Sequence, residues 1–415
     1  MYIREGRIVR RLVGMLAVLA LVLSIPAQAA TATGSSATTR IALLQADARS
    51  HGVAARHVLL KGKVSAEVTG DQLIALQQAG VAFEPIPRRS ISASAAQGKK
   101  DRILPPKQVP YGIKMTYGNP DLTPADISGG TGLKVAVMDT GVLTSHPDFV
   151  RADRSKVVTG CMNFAALNAD VVKNRCADGN GHGTHVAGTI AAAGGSDGKG
   201  VFGVAPQASI LAYKVLDDQG YGYADDIARA IIYAADHGAN IISMSLGDPT
   251  AASVELDAIR YAVGRGVLVI AAAGNEGPML DTMRYPAAYA EVVAVANLDP
   301  SETINNRSSR GITDGDDMTI ADREVEVAGP GTYVISTYNT GGYATMTGTS
   351  MATPHIAGLA AKMWSGSAAQ TRTWLQTQAG AHDIILGYAT GPGYDVASGY
   401  GLPQAATLSL AWWYE

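Results

Sequence analysis

Five continuous apolar runs restrict the folds open to this chain more than any other feature. They are Lys134 to Met138, Ile210 to Leu216, Asn240 to Leu246, Gly266 to Ala273 and Val292 to Asn297. A strand with one wetted face alternates apolar and polar residues. A strand covered on both faces reads as an apolar run, which is the pattern of a parallel sheet with helices above and below it. Between the runs lie Tyr223 to His237 and Ser253 to Gly264, where apolar residues recur at helical spacing. From about Val109 the expected fold is therefore α/β: a three-layer domain with a mostly parallel central sheet flanked by helices. Its functional loops should lie at the carboxyl ends of the strands. At 47% hydrophobic and 17% charged, 415 residues suffice for a large core.

The amino-terminal third reads differently. Arg4, Arg7, Arg10 and Arg11 precede an apolar stretch from Leu12 to Ile25, and Ala27-Gln28-Ala29 offers a small-x-small cleavage site. Residues 1–29 are read as a secretory signal peptide, so the mature protein is expected to be secreted, extracellular or periplasmic. Ala30 to Thr39 is a low-complexity linker. A small α+β unit follows over residues 40 to about 88, with strand-like His57 to Leu60, a helix over Gln72 to Ala79 and a strand over Val81 to Ile86. Ser90 to Lys100 reads as a flexible linker. The expected organisation is 1–29 signal, 30–105 accessory unit and linker, and 106–415 main domain. After signal removal no run is long enough to span a membrane. Lys plus Arg number 33 against 36 Asp plus Glu, a net charge of −3, which gives no basic field for a nucleic acid. Cys161 and Cys176 lie in a loop-like stretch, and an exported chain meets an oxidising compartment, so a disulfide is expected between them.

Three Gly-rich segments carry the chemistry. VAVMDTGV (135–142) is a buried strand ending on Asp139, HGTHVAG (182–188) opens a helix on His182, and GTSMATPH (348–355) presents Ser350 just ahead of a helix start. Asp, then His, then Ser is one known chain order of the nucleophilic triad. Ser350 would be the nucleophile, His182 its general base and then acid, and Asp139 the carboxylate that holds the imidazole tautomer. A strand-end aspartate, a core histidine or an N-cap serine would each be ordinary alone; together and in this order they are not. His185 pairs with His182 at His-x-x-His spacing, but no third metal ligand is near, and it reads as a packed core histidine. Ala352 departs from the Gly-x-Ser-x-Gly elbow of α/β-hydrolases. The chemistry needs no cofactor.

At these three segments the chain resembles the subtilisin-like serine peptidases, over roughly Val109 to Leu408, with SGYGL (398–402) similar to the family's closing segment. The resemblance implies a serine endopeptidase acting on protein or peptide substrates. The accessory unit would be a propeptide, an intramolecular inhibitor that the enzyme removes from itself. In GNEG (274–277), Asn275 would donate its side-chain amide to the oxyanion, beside the Ser350 N–H, with Glu276 a solvated loop carboxylate. Ser245, Leu246 and Gly247 would pair with an extended substrate on one wall, and Ala272 and Gly274 would form the other. Arg284 falls near the floor of the first specificity pocket. Pointing inward it would favour acidic side chains; pointing to solvent, the expectation leaned to here, it leaves the preference broad. Asp148 matches a position that often binds calcium, so structural calcium is an expectation, although Lys107 stands where an oxygen ligand is usual and Asp197 is left as a second ligand. Asp314, Asp316, Asp317 and Asp322 form a second acidic cluster that reads as a solvated loop. Monomer is the default state. An acyl transferase, an esterase side activity and a catalytically silent homologue are the alternatives.

Overall fold

The computed structural model describes residues 38–91, 109–165, 171–196, 199–312, 320–384 and 393–405. The expected signal at 1–29 lies outside them, as do residues 92–108, Lys107, Asp197, Asp314, Asp316 and Asp317. Among the described residues no helix is long and apolar enough to cross a membrane.

The accessory unit consists of β1 (Thr39–Leu44), α1 (Gln45–Ser50), β2 (His57–Val58), β3 (Lys63–Val68), α2 (Gly70–Gln78) and β4 (Phe83–Pro85). Its strands form an antiparallel sheet in the order β2-β3-β1-β4. It closes on its own core, built around Ile41, Leu43, Val64, Ala66, Val68 and Leu76. Helix α2 starts where it does because of a capping box: the Thr69 side chain accepts the Gln72 N–H, and the Gln72 side chain accepts the Thr69 N–H. Strand β1 begins inside what composition marks as linker. The next strand, β5 (Arg88–Ile91), leaves this sheet altogether. Ser90 and Ile91 are thus strand residues rather than the start of a linker.

The main domain follows as α3 (Tyr111–Tyr117), β6 (Lys134–Asp139), β7 (Val158–Asn163), β8 (Val172–Lys173), α4 (His182–Ala191), β9 (Ser209–Lys214), β10 (Tyr221–Tyr223), α5 (Ala224–Asp236), β11 (Ile241–Met244), β12 (Leu246–Gly247), α6 (Ser253–Gly264), β13 (Leu268–Ala272), β14 (Val293–Leu298), β15 (Val327–Pro330), β16 (Val334–Thr337), β17 (Tyr343–Met346), α7 (Thr349–Lys362) and α8 (Ala368–Gly380). The central sheet runs β15-β14-β13-β11-β6-β9-β7-β8, and every pairing in it is parallel except β7 with β8. All five apolar runs supply strands of it.

Both faces of the sheet are dry, as those runs require. Ala136, Met138, Ile242, Met244, Val269 and Ala271 pack against Ile227, Ile231 and Ile259 of α5 and α6. Their chain neighbours Val135, Val137, Ile241, Leu268 and Ile270 pack on the other side against Val186 and Ile190 of α4 and Ile356 of α7. The run Asn240 to Leu246 is not one strand. It leaves the central sheet at Ser245 and continues as β12 in a three-stranded sheet, β10-β5-β12, whose middle strand comes from the accessory unit. Cys161 and Cys176 are disulfide-bonded, Cys161 lying in the edge-side strand β7 rather than in a loop.

Charged groups dock the two units on the amino-terminal ends of α5 and α6. Arg40 Nη1 donates to Asp225 Oδ1 at 3.0 Å and to Asp226 Oδ2 at 2.8 Å. Glu84 accepts the Ser253 N–H at 2.7 Å, capping α6 from outside the domain, and Lys61 and Lys63 pair with Asp257. Ile270 sits at the centre of the parallel sheet with no exposure. Ile270→Ala is expected to lower unfolding stability by about 2–5 kcal/mol, measured as a lower urea midpoint with the slope unchanged.

Candidate active site

Asp139 ends β6, where the chain turns away over the carboxyl edge of the sheet. Its carboxylate is buried, and Oδ1 accepts the Thr140 N–H at 2.7 Å. The same oxygen lies 2.8 Å from Nδ1 of His182, the first residue of α4. The approach needs a bare backbone: a Cβ on Gly183 would stand 2.1 Å from the Gly141 carbonyl oxygen. An Nδ1–H···carboxylate bond fixes the imidazole tautomer and leaves Nε2 as the working nitrogen.

Asp178, which sequence reading passes over as part of a turn, holds this pair in register. Its Oδ1 accepts from Thr140 Oγ1 at 2.9 Å, Asn180 N at 3.0 Å and Gly181 N at 2.8 Å. Its Oδ2 accepts from Thr184 N at 2.9 Å and Thr184 Oγ1 at 2.6 Å. Thr140 Oγ1 in turn accepts the Gly183 N–H at 3.0 Å. The turn after β6 and the first turn of α4 are thus tied through one carboxylate. Lys214 closes the other side, its ammonium donating to the Thr140 carbonyl and to Asp218. The available sequence signal was an acidic residue four before the histidine in a Gly-rich turn, which by itself reads as turn chemistry.

Ser350 is the second residue of α7, in the turn whose amides have no acceptor within the helix. It is locked to the end of β11 in both directions. Ser245 Oγ donates to the Ser350 carbonyl at 2.8 Å, and Ser350 Oγ donates to the Ser245 carbonyl at 3.2 Å. His182 Nε2 is buried with no hydrogen-bond partner among the described residues, so the serine hydroxyl is not bonded to it in this state. Such bonds commonly form only once substrate is in place. Asn275 follows β13, and its Oδ1 accepts the Thr349 N–H at 3.0 Å, which sets the orientation of the amide beside the start of α7. The structure therefore gathers Asp139, His182, Ser245, Asn275 and Ser350, distant in sequence, at one end of the sheet.

Residues 130–401 match the model of the Subtilase family. The chain belongs to that family. It is 46% identical over 311 residues to a subtilisin of Bacillus sp. (strain TA39), covering 71% of this chain and 72% of that protein. It is 42% identical over 269 residues to thermitase of Thermoactinomyces vulgaris, covering 64% and 86%. Among solved structures it is similar to the S41 psychrophilic protease, with TM-score 0.68, 45% identity and coverage of 73% of this chain and 100% of that one. Sphericase gives TM-score 0.68 at 46% identity, over 72% and 99%. The subtilisin-like fold and a serine-type endopeptidase activity follow from these likenesses.

This subtilase departs from expectation at Arg284. Arg284 points neither freely inward nor to solvent. A Cβ on Gly274, whose φ is +117°, would lie 2.7 Å from Arg284 Cγ, so the arginine stem packs on the wall residue. Its Nε meets Glu276 Oε2 at 2.9 Å. Glu276, read as a solvated carboxylate, is exposed yet also accepts the Asn275 N–H at 2.8 Å. The charge that would have favoured acidic substrates is thus already paired. Asp148 is fully buried, with Oδ2 accepting the Val201 N–H at 2.9 Å and Oδ1 the Tyr343 hydroxyl at 3.1 Å. The Val201 N–H bond to its carboxylate and the Ala193 N–H bond to its carbonyl tie Asp148 to residues 193 and 201; a calcium ion, which takes six to eight oxygens, would need further ligands from other residues. Among the described residues one side-chain group has metal-ligand spacing, His57 with Asp225 and Asp226, and Arg40 already bridges its two carboxylates.

His185 is the core histidine expected, its Nε2 lying 3.0 Å from the Val334 carbonyl and 3.1 Å from that of Ala344. Burial pushes its pKa down to about 3, and burial likewise pushes His355 down to about 4. Both are neutral when folded but take up a proton near pH 6.5 once unfolded. The unfolded chain then binds more protons, so stability is full above about pH 6.5 and falls as pH drops towards 4. A lower melting temperature at pH 4.5 than at pH 7.5 is expected, with a smaller drop in His185→Gln. Asp178→Ala leaves five donors without their acceptor and is expected to cost about 3 kcal/mol or more, read by chemical denaturation, with loss of peptidase activity at temperatures where the protein stays folded.

Proposed function

We propose that this subtilase is secreted as a precursor, cuts itself free of its accessory unit and hydrolyses extended peptides through Asp139, His182 and Ser350. One observation carries the reading most: β5 lies antiparallel between β10 and β12, with Ser90 opposite both Tyr221 and Gly247 and Ile91 opposite Leu246. A peptide held this way is in the pose of a substrate, backbone paired on both sides and running towards Ser245 and Ser350. The accessory unit then acts as a propeptide that blocks the cleft it has been cut from. The basic n-region and small-x-small site at 1–29 support export, and the Cys161–Cys176 bridge suits an oxidising compartment.

The chemistry follows from the positions. Ser350 Oγ exchanges its bond to the Ser245 carbonyl for one to His182 Nε2 and attacks the scissile carbonyl as Nε2 takes its proton. The oxyanion receives the Asn275 amide and the Ser350 N–H. His182, stabilised as imidazolium by Asp139, protonates the leaving amine and then draws a proton from water to release the acyl group. Small residues at Ala272 and Gly274 leave a roomy pocket before the cut.

Intact mass of purified wild type and Ser350→Ala, with casein hydrolysis alongside, tests this. Wild type should lose about its first hundred residues and digest casein. Ser350→Ala should retain the accessory unit and lose about 10⁶-fold in turnover. Asn275→Ala should process slowly and lose about 100- to 1000-fold, magnitudes for which subtilisin is itself the reference case. Equal processing of wild type and Ser350→Ala would show that another enzyme does the cutting.

A further inference from the structure

Side chains of β5 alternate, and its two arginines go opposite ways. Arg88 lies over the rings of Tyr221 and Tyr223 at the surface, 4.8 and 5.4 Å from their centroids. Arg89, opposite Gly222, points into the main domain and is completely buried. There it forms a two-pronged bond with Glu255, Nη2 to Oε2 at 2.6 Å and Nε to Oε1 at 3.2 Å. Its Nη1 donates to the Thr250 carbonyl at 2.7 Å, with Asp248 Oδ1 at 3.7 Å. Glu255 is in the first turn of α6 and has no exposure. Among the described residues, Arg89 supplies every hydrogen bond and ion pair that this carboxylate has.

The cleft therefore contains a buried carboxylate whose partner arrives on the peptide that fills it. Once the accessory unit leaves, Glu255 has lost that partner, and the space the guanidinium filled beside the carboxylate is open to a side chain that arrives on another peptide. A guanidinium restores two parallel charge-assisted bonds and the contact to the Thr250 carbonyl. An ammonium offers a single charged point, and an aliphatic side chain offers nothing. The ladder fixes where that side chain must stand. Arg89, Ser90 and Ile91 face Gly222, Gly247 and Leu246, so the next residue of a peptide paired in this way faces Ser245, whose carbonyl the Ser350 hydroxyl touches.

We infer that Glu255 is a specificity-determining residue that selects substrates with arginine as the fourth residue on the amino-terminal side of the cut bond. The inference rests on the reading of Ser350 as the nucleophile. Asp248 adds a second negative charge at the same pocket.

The test uses the full chain, expressed and left to process. Its substrates are acetylated octapeptides Xaa-Ser-Ile-Ser-Ala-Ser-Ala-Ala, which follow the protein's own sequence from Arg89 onward, with Xaa as Arg, Lys, Leu or Glu. Mass spectrometry locates the cut and initial rates give kcat/KM. Cleavage after the second serine of Ser-Ile-Ser is expected, with Arg at least about tenfold above Leu, Lys between them and Glu lowest. In Glu255→Leu the order of Arg and Leu should invert, and faster cutting of the Leu peptide shows that the variant is folded. Equal rates for Arg and Leu in wild type, or an Arg preference that survives in Glu255→Leu, overturn the inference while leaving the peptidase reading intact. Failure of wild type to cut either casein or any peptide overturns the peptidase reading and this inference with it.

Discussion

A parallel sheet brings the carboxyl ends of all its strands to one edge, and the site depends on that constraint. Asp139 ends β6, Ser245 follows β11 and Asn275 comes shortly after β13, three strands that are direct neighbours in the order β13-β11-β6. The two helices that bring His182 and Ser350 pack on one face of the sheet, so their amino-terminal ends reach the same edge from the same side. Short bonds then lock the parts: Ser245 with Ser350, Asn275 with Thr349, Thr140 with Asp178. The sheet brings the parts to one edge, and the polar network holds them to one another.

Sequence reading picked out residues that the fold gathers at one edge because a nucleophilic triad needs particular residue types in a particular order. Asp139, His182 and Ser350 were legible for that reason, as were the five doubly buried strands. Strands β7 and β15 were not, since β7 (VTGCMN) mixes polar residues into a nearly peripheral position and β15 ends in Gly-Pro. Strands β1 and β3 were missed because single-faced antiparallel strands carry a weaker signal than runs buried on both faces. Asp178 was hidden for another reason. Its five donors come from residues 140, 180, 181 and 184, and only folding brings the first of these to the others. Arg89 is the clearest case: an arginine at the edge of a Ser/Ala-rich stretch reads as solvated, and nothing local announces the carboxylate it meets across 166 residues.

The join between the two units combines strand pairing with ionic contacts. Arg40, Lys61 and Lys63 meet the carboxylates of α5 and α6, and Glu84 meets the amide end of α6. An apolar patch, with Ala42, Leu59 and Ile86 against Ala224, Ala252 and Val254, also lies in the join. Such pairs give orientation and specificity more than net affinity, because each charge gives up hydration to form them. They suit a contact that, as proposed, is correct while it lasts and then ends.

The same join has a consequence for how the protein responds to dilution. While the chain is continuous, β5 is held beside its groove at the effective concentration of an intramolecular contact, which is commonly about millimolar. Under the proposed self-processing, the same groove would after the cut compete for a free molecule at whatever concentration the surroundings supply. Occupancy that no dilution could lower before the proposed cut would become a matter of mass action after it. A dense population of these molecules would stay largely blocked, and one that has diffused apart would not.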